Sequence, residues 1–407
     1  MTNHGTQSKK QWLTLLLSLL LAACSTLPKP STAPLPRPAT SLPKVTQEPV
    51  AALPTPQLVA SKWETLPHWG VTDLGQSQLA FLQSCRVLKN RPLWQNTCAK
   101  AETLNTQDNA ALHAFYEGWF TPYQVLNTDG SERGMITGYY EPLLKGSRLK
   151  TSQFKYPVYA APNDLLTIDL SETYPQLKEL RLRGRMQGKR IVPYYSRAEI
   201  EAGAGAATGG ELFWVENPIE LFFLQVQGSG RIELPNGKQI KVGYADQNGH
   251  PYISIGKKLV EMGELKLEEA SMQGIKRWAE KHVDQTSSLL NQNPSYVFLR
   301  ELPDTLSAPL GALGVPLTSE YSIAVDPRTI PLGAPVFLAT TYPNNNVPLD
   351  RLMLAQDTGG AIKGAVRADV FWGFGESAGA QAGKMKQQGR LWVLLPKDAE
   401  NGLAPKP

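Results

Sequence analysis

Hydrophobic positions along the chain follow two different periods. Over residues 73–126 they recur every three or four residues, as on one face of a helix. The same pattern recurs over residues from about 254 to 284. From Gly134 onward the other apolar runs are short and end at Gly, Pro or Asn, which is typical of strands joined by tight turns. Strands are predicted at 135–139, 157–159, 190–193, 219–227, 231–234, 240–242, 297–299, 322–325, 336–338, 352–355 and 391–395. Strands and helices do not alternate, which disfavours a doubly wound parallel sheet. We expect a mainly β fold with peripheral helices, of the kind that forms barrels.

The composition of the 407 residues is that of a globular protein large enough for two domains, or for one domain with an insertion. Hydrophobic residues make up 42%, and 34 Gly and 32 Pro are spread without a period, which argues against a collagen-like, coiled-coil or wholly disordered chain. The formal net charge is only +5 and no dense block of Lys or Arg occurs, so nucleic acid is not an expected partner. Five His and three Cys without metal-binding spacing lead us to expect no metal site.

The N-terminal segment has the pattern of an export signal. Two lysines precede an apolar run at 12–23, which is about half the length needed to span a bilayer. The run ends in Leu-Ala-Ala-Cys at 21–24, which resembles a bacterial lipobox, in which the cysteine is lipidated. We therefore expect a signal peptide at 1–23 and a lipid anchor on Cys24. Because Ser25 rather than Asp follows, the anchor is expected in the outer membrane, with the protein facing the periplasm. An ordinary signal peptide that contains a cysteine by chance is the alternative.

A proline-rich stretch follows the expected lipidation site. Residues 24–59 hold nine prolines between Pro28 and Pro56, together with Ser, Thr and Ala and without an apolar period. This composition favours a semi-extended tether between a lipid anchor and a folded domain. At the other end of the chain, residues 401–407 are expected to form a short tail.

Two cysteines lie in the predicted helical region. Cys85 and Cys98 flank a turn around Arg91 and Pro92. In an exported protein, this placement favours a disulfide between two antiparallel helices. Two buried thiols are the alternative.

Three aspartates near the C-terminal end form the densest chemical pattern. Asp326, Asp357 and Asp369 each lie beside an apolar strand and close to Gly, Pro or aromatic residues. A carboxyl that is partly desolvated at the end of a barrel strand has a raised pKa and can act as a general acid, whereas Lys363 or Arg367 nearby would lower that pKa. Aspartates in such sequences also cap turns. We prefer the turn-capping role for Asp326, leave both roles open for Asp357 and assign chemistry to Asp369.

Several motifs along the chain resemble those of one bacterial enzyme family. The three aspartate segments and the lipobox are accompanied by Gly-Tyr-Tyr-Glu-Pro at 138–142, Val-Gln-Gly-Ser-Gly at 226–230 and Gly-Phe-Gly at 373–375. Over residues 60–397 the chain is similar to the lytic murein transglycosylases that carry a three-aspartate domain. The resemblance implies a double-psi β-barrel, similar to that of expansins and family 45 endoglucanases, with a second β-domain inserted into it and a groove between the two. The barrel would comprise residues 60–145 and 297–400, and the inserted domain residues 146–296.

The same resemblance implies a reaction. The family cleaves the β-1,4 bond between N-acetylmuramic acid and N-acetylglucosamine in peptidoglycan, and it forms a 1,6-anhydro ring instead of adding water. Because the substrate supplies its own nucleophile, one carboxyl can serve as acid and then as base, and Asp369 corresponds to it. Asp357 and Asp326 would shape its environment. The reaction needs no metal or cofactor. The expected partners are peptidoglycan glycan strands, with murein synthases as candidate protein partners.

Glycan-binding groups are expected from the same motifs. Aromatic faces, amides and hydroxyls bind sugars, and glycines let the backbone approach them. The candidates are Tyr139, Tyr140, Glu141, Gln227, Gly228, Ser229, Gly230 and Thr358. Strand packing is the alternative for the two tyrosines, and at most one of them should face the groove because neighbouring strand residues point to opposite sides. Glu141, which precedes a proline, is more typical of a solvated turn. Core positions are expected for Trp214, Phe222 and Phe223.

Three other functions fit parts of the pattern. Asp357-Thr358-Gly359 resembles the Asp-Thr-Gly of aspartic proteases, but only one such triplet occurs and Gln356 interrupts the apolar run before it. A glycoside hydrolase on the same barrel would need a second carboxylate, with Asp357 or Glu141 as candidates. A wall-binding lipoprotein would bind glycan without cutting it, so the release of soluble anhydro-muropeptides separates enzyme from binder.

Overall fold

The computed structural model describes residues 57–397, with the exception of 178–179, 181, 206–209 and 344. The predicted signal peptide at 1–23, the lipidation site Cys24, most of the tether at 24–59 and the tail at 401–407 lie outside the described residues. Within the described part, no helix has both the length and the apolar character to cross a membrane.

The helices are short and have recognisable ends. Pro92 opens the second helix, where its missing N–H is not needed, and Asp108 Oδ1 accepts a 3.0 Å hydrogen bond from Ala111 N at the start of the third. A disulfide between Cys85 and Cys98 joins the first two helices. The α-helices are α1 (Gly75–Leu88), α2 (Pro92–Ala101), α3 (Asn109–Trp119), α4 (Arg197–Glu201), α5 (Pro218–Gln227), α6 (Ile255–Glu261), α7 (Met272–Lys281), α8 (Val283–Leu290) and α9 (Gly375–Ala382).

The strands belong to three sheets. In chain order they are β1 (Gln57–Ala60), β2 (Phe120–Leu126), β3 (Gly134–Glu141), β4 (Leu143–Ser147), β5 (Tyr156–Tyr159), β6 (Leu166–Thr167), β7 (Arg183–Gln187), β8 (Arg190–Pro193), β9 (Glu211–Val215), β10 (Ser229–Glu233), β11 (Gln239–Gln247), β12 (Val297–Glu301), β13 (Ser322–Val325), β14 (Pro335–Thr341), β15 (Pro348–Asp357), β16 (Ala368–Phe374) and β17 (Lys386–Pro396).

The largest sheet contains eight strands in the order β1-β2-β17-β14-β15-β13-β16-β3. β17 also pairs with β3, so the last six strands in this order form a closed ring of backbone pairings. The pairs β13–β15 and β16–β3 run parallel, and the other pairs in the ring run antiparallel. Helices α1 to α3 pack on this sheet through one continuous core that includes Phe81, Tyr116 and Phe337.

The second sheet has the strand order β12-β11-β10-β4-β9-β5, and the third consists of β6, β7 and β8. Only Pro142 separates β3 from β4, so the chain leaves the ring at this residue. It returns to the ring with β13. α5 packs its two sides against different clusters of buried residues. Leu221 and Leu224 contact the second sheet, while Phe222 and Phe223 pack against α6, α7 and α8.

For two segments the sequence predicts the wrong type of secondary structure. Residues 219–227 form the helix α5 and not a strand, because Asn217 Oδ1 accepts a 2.9 Å hydrogen bond from Ile219 N and Gly228 ends the helix with a φ of 78°. The helical pattern over 73–126 ends with α3 at Trp119, since the next seven residues form β2, which pairs with β1 and β17.

The remaining predictions for secondary structure are confirmed in outline. Each of the other predicted strands overlaps an observed strand, and the helical region at 254–284 contains α6 and α7 and continues to the end of α8. Phe222 and Phe223 are buried as expected. The core assignment is wrong for Trp214, which is half-buried and has Lys150 Nζ 4.9 Å from its ring centroid.

Candidate active site

Strand register brings two of the three aspartates close together. Ala324 on β13 is paired with Asp357 on one side and with Asp369 on the other, and Asp369 in turn is paired with Thr137 on β3. These four residues therefore form one row across neighbouring strands of the ring. Because adjacent strands lie about 4.8 Å apart, the Cα atoms of Asp357 and Asp369 are roughly 10 Å apart.

Asp369 is half-buried and is held by a threonine. Thr137 Oγ1 donates a 2.6 Å hydrogen bond to Asp369 Oδ1, and Arg367 Nη2 donates a 2.8 Å hydrogen bond to the same threonine oxygen. Burial raises the pKa of Asp369 and the charge of Asp357 adds to this, whereas Arg367 and the hydrogen bond from Thr137 lower it. The net direction is upward, so the carboxyl stays protonated to a higher pH than an ordinary aspartate.

Asp357 is engaged by several donors. Its Oδ1 accepts hydrogen bonds from Ala312 N at 2.9 Å and from Thr358 N at 2.8 Å, and its Oδ2 accepts one from the hydroxyl of Tyr139 at 2.9 Å. The Tyr139 ring packs on Phe371, with 5.2 Å between centroids. Burial, followed by the charge of Asp357, raises the pKa of Tyr139 well above its usual value, so this hydroxyl remains a neutral donor.

Asp326 lies at the end of β13 and is buried. It accepts hydrogen bonds from Arg328 Nε and from Gly364 N, both at 2.9 Å. Burial would raise the pKa of Asp326, but these hydrogen bonds outweigh burial and hold the pKa below its ordinary value. The carboxylate therefore fixes the loop between β15 and β16, which leads to Asp369.

The two tyrosines of the sequence motif point in different directions. Tyr139 reaches Asp357, whereas the hydroxyl of Tyr140 lies 3.7 Å from Met272 Sδ on α7. Gln227 Oε1, at the end of α5, accepts a 2.9 Å hydrogen bond from Tyr140 N. Burial raises the pKa of Tyr140 to about 12. A cavity of about 860 Å³ is lined by Tyr140, Gln227 and also Thr137, which connects it to Asp369.

Glu141 is buried and forms an ion pair, so the expectation that it is a solvated turn residue is wrong. Only 2% of the residue is exposed, and its Oε2 lies 3.7 Å from Arg231 Nη2 on β10. Burial raises the pKa of Glu141, and the positive charges of Arg231 and Lys241 oppose this rise. The Arg231 guanidinium also lies 3.7 Å from the centroid of Phe374. This cluster joins the ring to the second sheet.

The small residues of the 226–230 motif have structural contacts. Gly228 provides the left-handed backbone that ends α5, and Ser229 is buried at the start of β10. A Cβ on Gly230 would lie 2.5 Å from Leu224 Cδ1 and 2.9 Å from Pro142 O. Residue 230 must therefore be a glycine, because the chain's own atoms leave no room for a Cβ where the chain passes between the two sheets.

Two residues of the site were missed by sequence reasoning. Thr137 and Arg231 carry no motif of their own, and their contacts depend on which strands become neighbours. A threonine two positions before Tyr139 on the same strand face was the available signal for Thr137. Across the described residues, no group of three or more His, Cys, Asp or Glu side chains is placed to hold a metal ion.

The sequence and the fold match a known group of proteins. Residues 135–300 match the family described as MltA specific insert domain, and residues 321–395 match the family described as 3D domain. The membrane-bound lytic murein transglycosylase A of Escherichia coli K12 is 36% identical over 279 residues, which cover 67% of this chain and 68% of that protein.

Solved structures agree with the sequence matches. The monoclinic crystal structure of MltA from Neisseria gonorrhoeae has 42% sequence identity and a TM-score of 0.72, and the match covers 84% of this chain and 93% of that chain. E. coli MltA with bound chitohexaose has 30% identity and a TM-score of 0.63, with 79% of this chain and 90% of that chain covered.

The fold and the sequence matches together thus define a peptidoglycan-cleaving lyase of the lytic transglycosylase class. Within that class, the chain belongs to the membrane-bound lytic murein transglycosylase A family.

Proposed function

We propose that the enzyme cleaves the β-1,4 bond between N-acetylmuramic acid and N-acetylglucosamine with Asp369 as its single acid and base. The observation that carries this proposal is the half-buried Asp369 carboxyl, whose pKa is raised and whose Oδ1 is held by Thr137. A carboxyl with a raised pKa stays protonated to a higher pH and can therefore donate a proton to a leaving oxygen, as general acid catalysis requires.

The bond changes balance without any added reagent. Asp369 donates its proton to O4 of N-acetylglucosamine while the C1–O4 bond breaks. The C6 hydroxyl of the muramic sugar forms the new bond to C1, and the Asp369 carboxylate takes up the hydroxyl proton. The carboxyl returns to its protonated form, and the product carries a 1,6-anhydro ring. Since the nucleophile is part of the substrate, it acts at high effective concentration.

The other two aspartates support this carboxyl. Asp357 is bonded by Ala312 N, Thr358 N and the Tyr139 hydroxyl, and its negative charge raises the pKa of Asp369. Asp326 fixes the preceding loop through Gly364 N. In this assignment neither of them transfers a proton to the substrate.

Glycan binding is assigned to the surface between the ring and the second sheet. The E. coli relative has been solved with bound chitohexaose, a chain of β-1,4-linked sugars like the peptidoglycan backbone. The cavity lined by Thr137, Tyr140 and Gln227 supports a glycan path along this surface. We assign sugar contacts also to the strand end at Thr358 and to the α5–β10 turn at Gly228 and Ser229.

The proposal extends to the arrangement of the domains. The closed ring of six strands supports a double-psi β-barrel made of residues 60–145 and 297–400, with residues 146–296 as an inserted domain and a groove between them. We further propose that Cys24 carries a lipid that anchors the protein in the outer membrane on its periplasmic face. Murein synthases are proposed as protein partners there.

The product mass tests the reaction. Full-length protein in detergent is incubated with purified murein sacculi, and the released fragments are analysed by mass spectrometry. We expect muropeptides that are lighter by one water than hydrolysis products, and their loss by a factor of about 10³ in Asp369→Asn. Asp350→Asn, which removes another carboxylate from the ring near its far end, is the matched control and should retain activity.

The alternative with a specific observation in its favour is a two-carboxylate hydrolase. Asp357 lies close enough to Asp369 for its charge to raise the pKa of that carboxyl, and an inverting glycosidase requires a second carboxylate near the acid. Fragments that retain the water would establish this alternative, and unchanged activity in Asp369→Asn would overturn the assignment of the acid.

A further inference from the structure

A second cavity lies between the edge of the second sheet and the helices that cover it. Its walls come from β5, β9 and the ends of α5, α7 and α8. The volume is about 800 Å³, which is within the range of about 300–1,000 Å³ for ligand pockets. Neither the three aspartates nor Thr137 line it, so it is separate from the site at Asp369.

A buried guanidinium forms part of the cavity wall. The side chain of Arg197 is 3% exposed and lies against the rings of Phe222 and Tyr296, at 4.8 and 4.9 Å from their centroids. Its Nη2 donates a 2.9 Å hydrogen bond to Ser295 O, and its Nη1 lies 3.4 Å from Glu201 Oε1. Among the described residues, Arg197 Nε has no hydrogen-bond partner. Leaving such a donor unpaired is costly, so the guanidinium has unused capacity for an anionic group.

The cavity also carries charges of both signs that have no ionic partner. Lys155, just before β5, forms no ion pair with any described residue, and the same is true of Glu280 on α7. The ammonium of Lys150 lies over the ring of Trp214. A purely anionic ligand would meet Glu280. A neutral sugar would leave Lys155 without an opposite charge and would leave Arg197 Nε without a partner, although Arg197 already pairs with Glu201. The lining therefore favours a ligand that carries both carboxylates and an ammonium group.

We propose that this cavity binds a short zwitterionic peptide, with its carboxylates at Arg197 and Lys155 and its ammonium group at Glu280. The half-buried rings of Tyr156, Tyr159 and Trp214 also line the cavity and suit an aliphatic peptide stem.

The peptides attached to muramic acid carry several carboxylates and, on the diaminopimelate side chain, an ammonium group, and in this form the inference rests on the proposed function. Helix α5 connects the two places, because its first residues line the cavity and Gln227 at its other end bonds Tyr140 N. The ten residues of α5 span about 15 Å, and an extended peptide of five residues spans about 17 Å. A stem peptide on a glycan bound near Gln227 therefore has the length to enter the cavity.

The first experiment measures binding of a free peptide. The probe is the synthetic tetrapeptide L-alanyl-γ-D-glutamyl-meso-diaminopimelyl-D-alanine, titrated into the full-length protein by calorimetry. We expect the Kd to increase at least tenfold in Lys155→Glu and in Arg197→Lys. Lys189→Glu, an exposed turn residue outside the cavity, makes the same charge change as Lys155→Glu and should leave the Kd unchanged. Lys155 is exposed, so its variant keeps the test valid if Arg197→Lys fails to fold.

The second experiment identifies the source of the peptide. Turnover is compared on peptide-bearing glycan strands and on strands from which an amidase has removed the peptides. A stem-peptide site predicts that Lys155→Glu raises KM at least threefold for the peptide-bearing strands and leaves the stripped strands unaffected. Unchanged KM values together with weakened tetrapeptide binding would assign the cavity to free peptides.

The proposal is overturned if the wild-type protein does not bind the tetrapeptide, or if it binds a version with amidated carboxylates equally well. Failure of the proposed function would look different, since no anhydro product would then arise from stripped strands, whatever the outcome of the calorimetry.

Discussion

Thr137 and Asp369 lie opposite each other on the parallel strands β3 and β16, and the threonine hydroxyl donates a 2.6 Å hydrogen bond to the carboxylate. This bond stabilises the charged form of Asp369 and therefore works against burial, which stabilises the protonated form. The pKa of the proposed acid is thus set by burial and the charge of Asp357, which raise it, against Arg367 and this hydrogen bond, which lower it.

Thr137→Val should shift the pH profile to higher pH. Loss of the hydrogen bond raises the pKa of Asp369 further, so the protonated acid persists to a higher pH and the alkaline decline of kcat/KM moves upward. The measurement is kcat/KM on murein against pH. Thr340→Val removes a hydroxyl that bonds Gln388 O on β17, away from the aspartates, and should leave the profile in place.

Asp357→Asn should shift the same profile in the opposite direction. The negative charge of Asp357 raises the pKa of Asp369, so its removal lowers that pKa and moves the alkaline decline to lower pH. Shifts of equal sign in Asp357→Asn and Thr137→Val would contradict the assignment of Asp369 as the titrating acid.

Removal of the disulfide should destabilise the protein without abolishing the fold. Cys85 and Cys98 are 13 positions apart, and a loop of this size corresponds to a loss of about 3 kcal/mol in the free energy of unfolding. The double variant Cys85→Ser, Cys98→Ser is compared with the wild type by denaturant unfolding. Adding a reductant should lower the midpoint of the wild type and leave that of the variant unchanged. Insensitivity of the wild type to the reductant would argue against the bridge.

Arg231→Ala should lower stability more at pH 8 than at pH 5. Burial already raises the pKa of Glu141 and Arg231 opposes this, so the variant raises the folded-state pKa further. A carboxyl with a raised folded-state pKa contributes most favourably at low pH and loses that contribution as pH rises through the folded-state pKa. We expect a loss of about 2 kcal/mol at pH 8 in denaturant unfolding. Adding Glu141→Gln should remove the pH dependence, and its persistence would point to another group.

Gly230→Ala should destabilise the passage between the two sheets. The added Cβ would overlap Leu224 Cδ1 and crowd Pro142 O, which corresponds to a loss of about 1–3 kcal/mol. Gly118→Ala is the matched control, because a Cβ at this helical position meets nothing within 4 Å and should be neutral or stabilising. Thermal unfolding of both variants gives the comparison, and equal effects would contradict the packing argument.

The sequence predicts strands well where their apolar runs are short and bounded by turn residues, as in β8 and β13. It fails for α5, because a helix buried on two sides shows the same continuous apolar run as a buried strand. The capping residues Asn217 and Gly228 were the local signal that could have separated the two.

The proposed acid and its environment differ in how far the sequence predicts them. Asp369 stands out through its motif, but Thr137 becomes its partner only through the register of β3 against β16. Glu141 resembles a solvated turn residue until Arg231, ninety positions later, is brought beside it by β10. Contacts of this kind depend on which strands become neighbours, which a local pattern does not encode.

The closing strand of the ring is also the last strand to be synthesised among those described. β17 pairs with β14, β2 and β3, so these three earlier strands keep open edges in any chain that lacks residues 386–396. One of these strands, β3, carries Thr137. A nascent chain that stops short of β17, or a mature chain clipped before it, would lose the closure of the ring and the support of Asp369 together. A chain truncated before β17 is therefore not expected to cleave peptidoglycan.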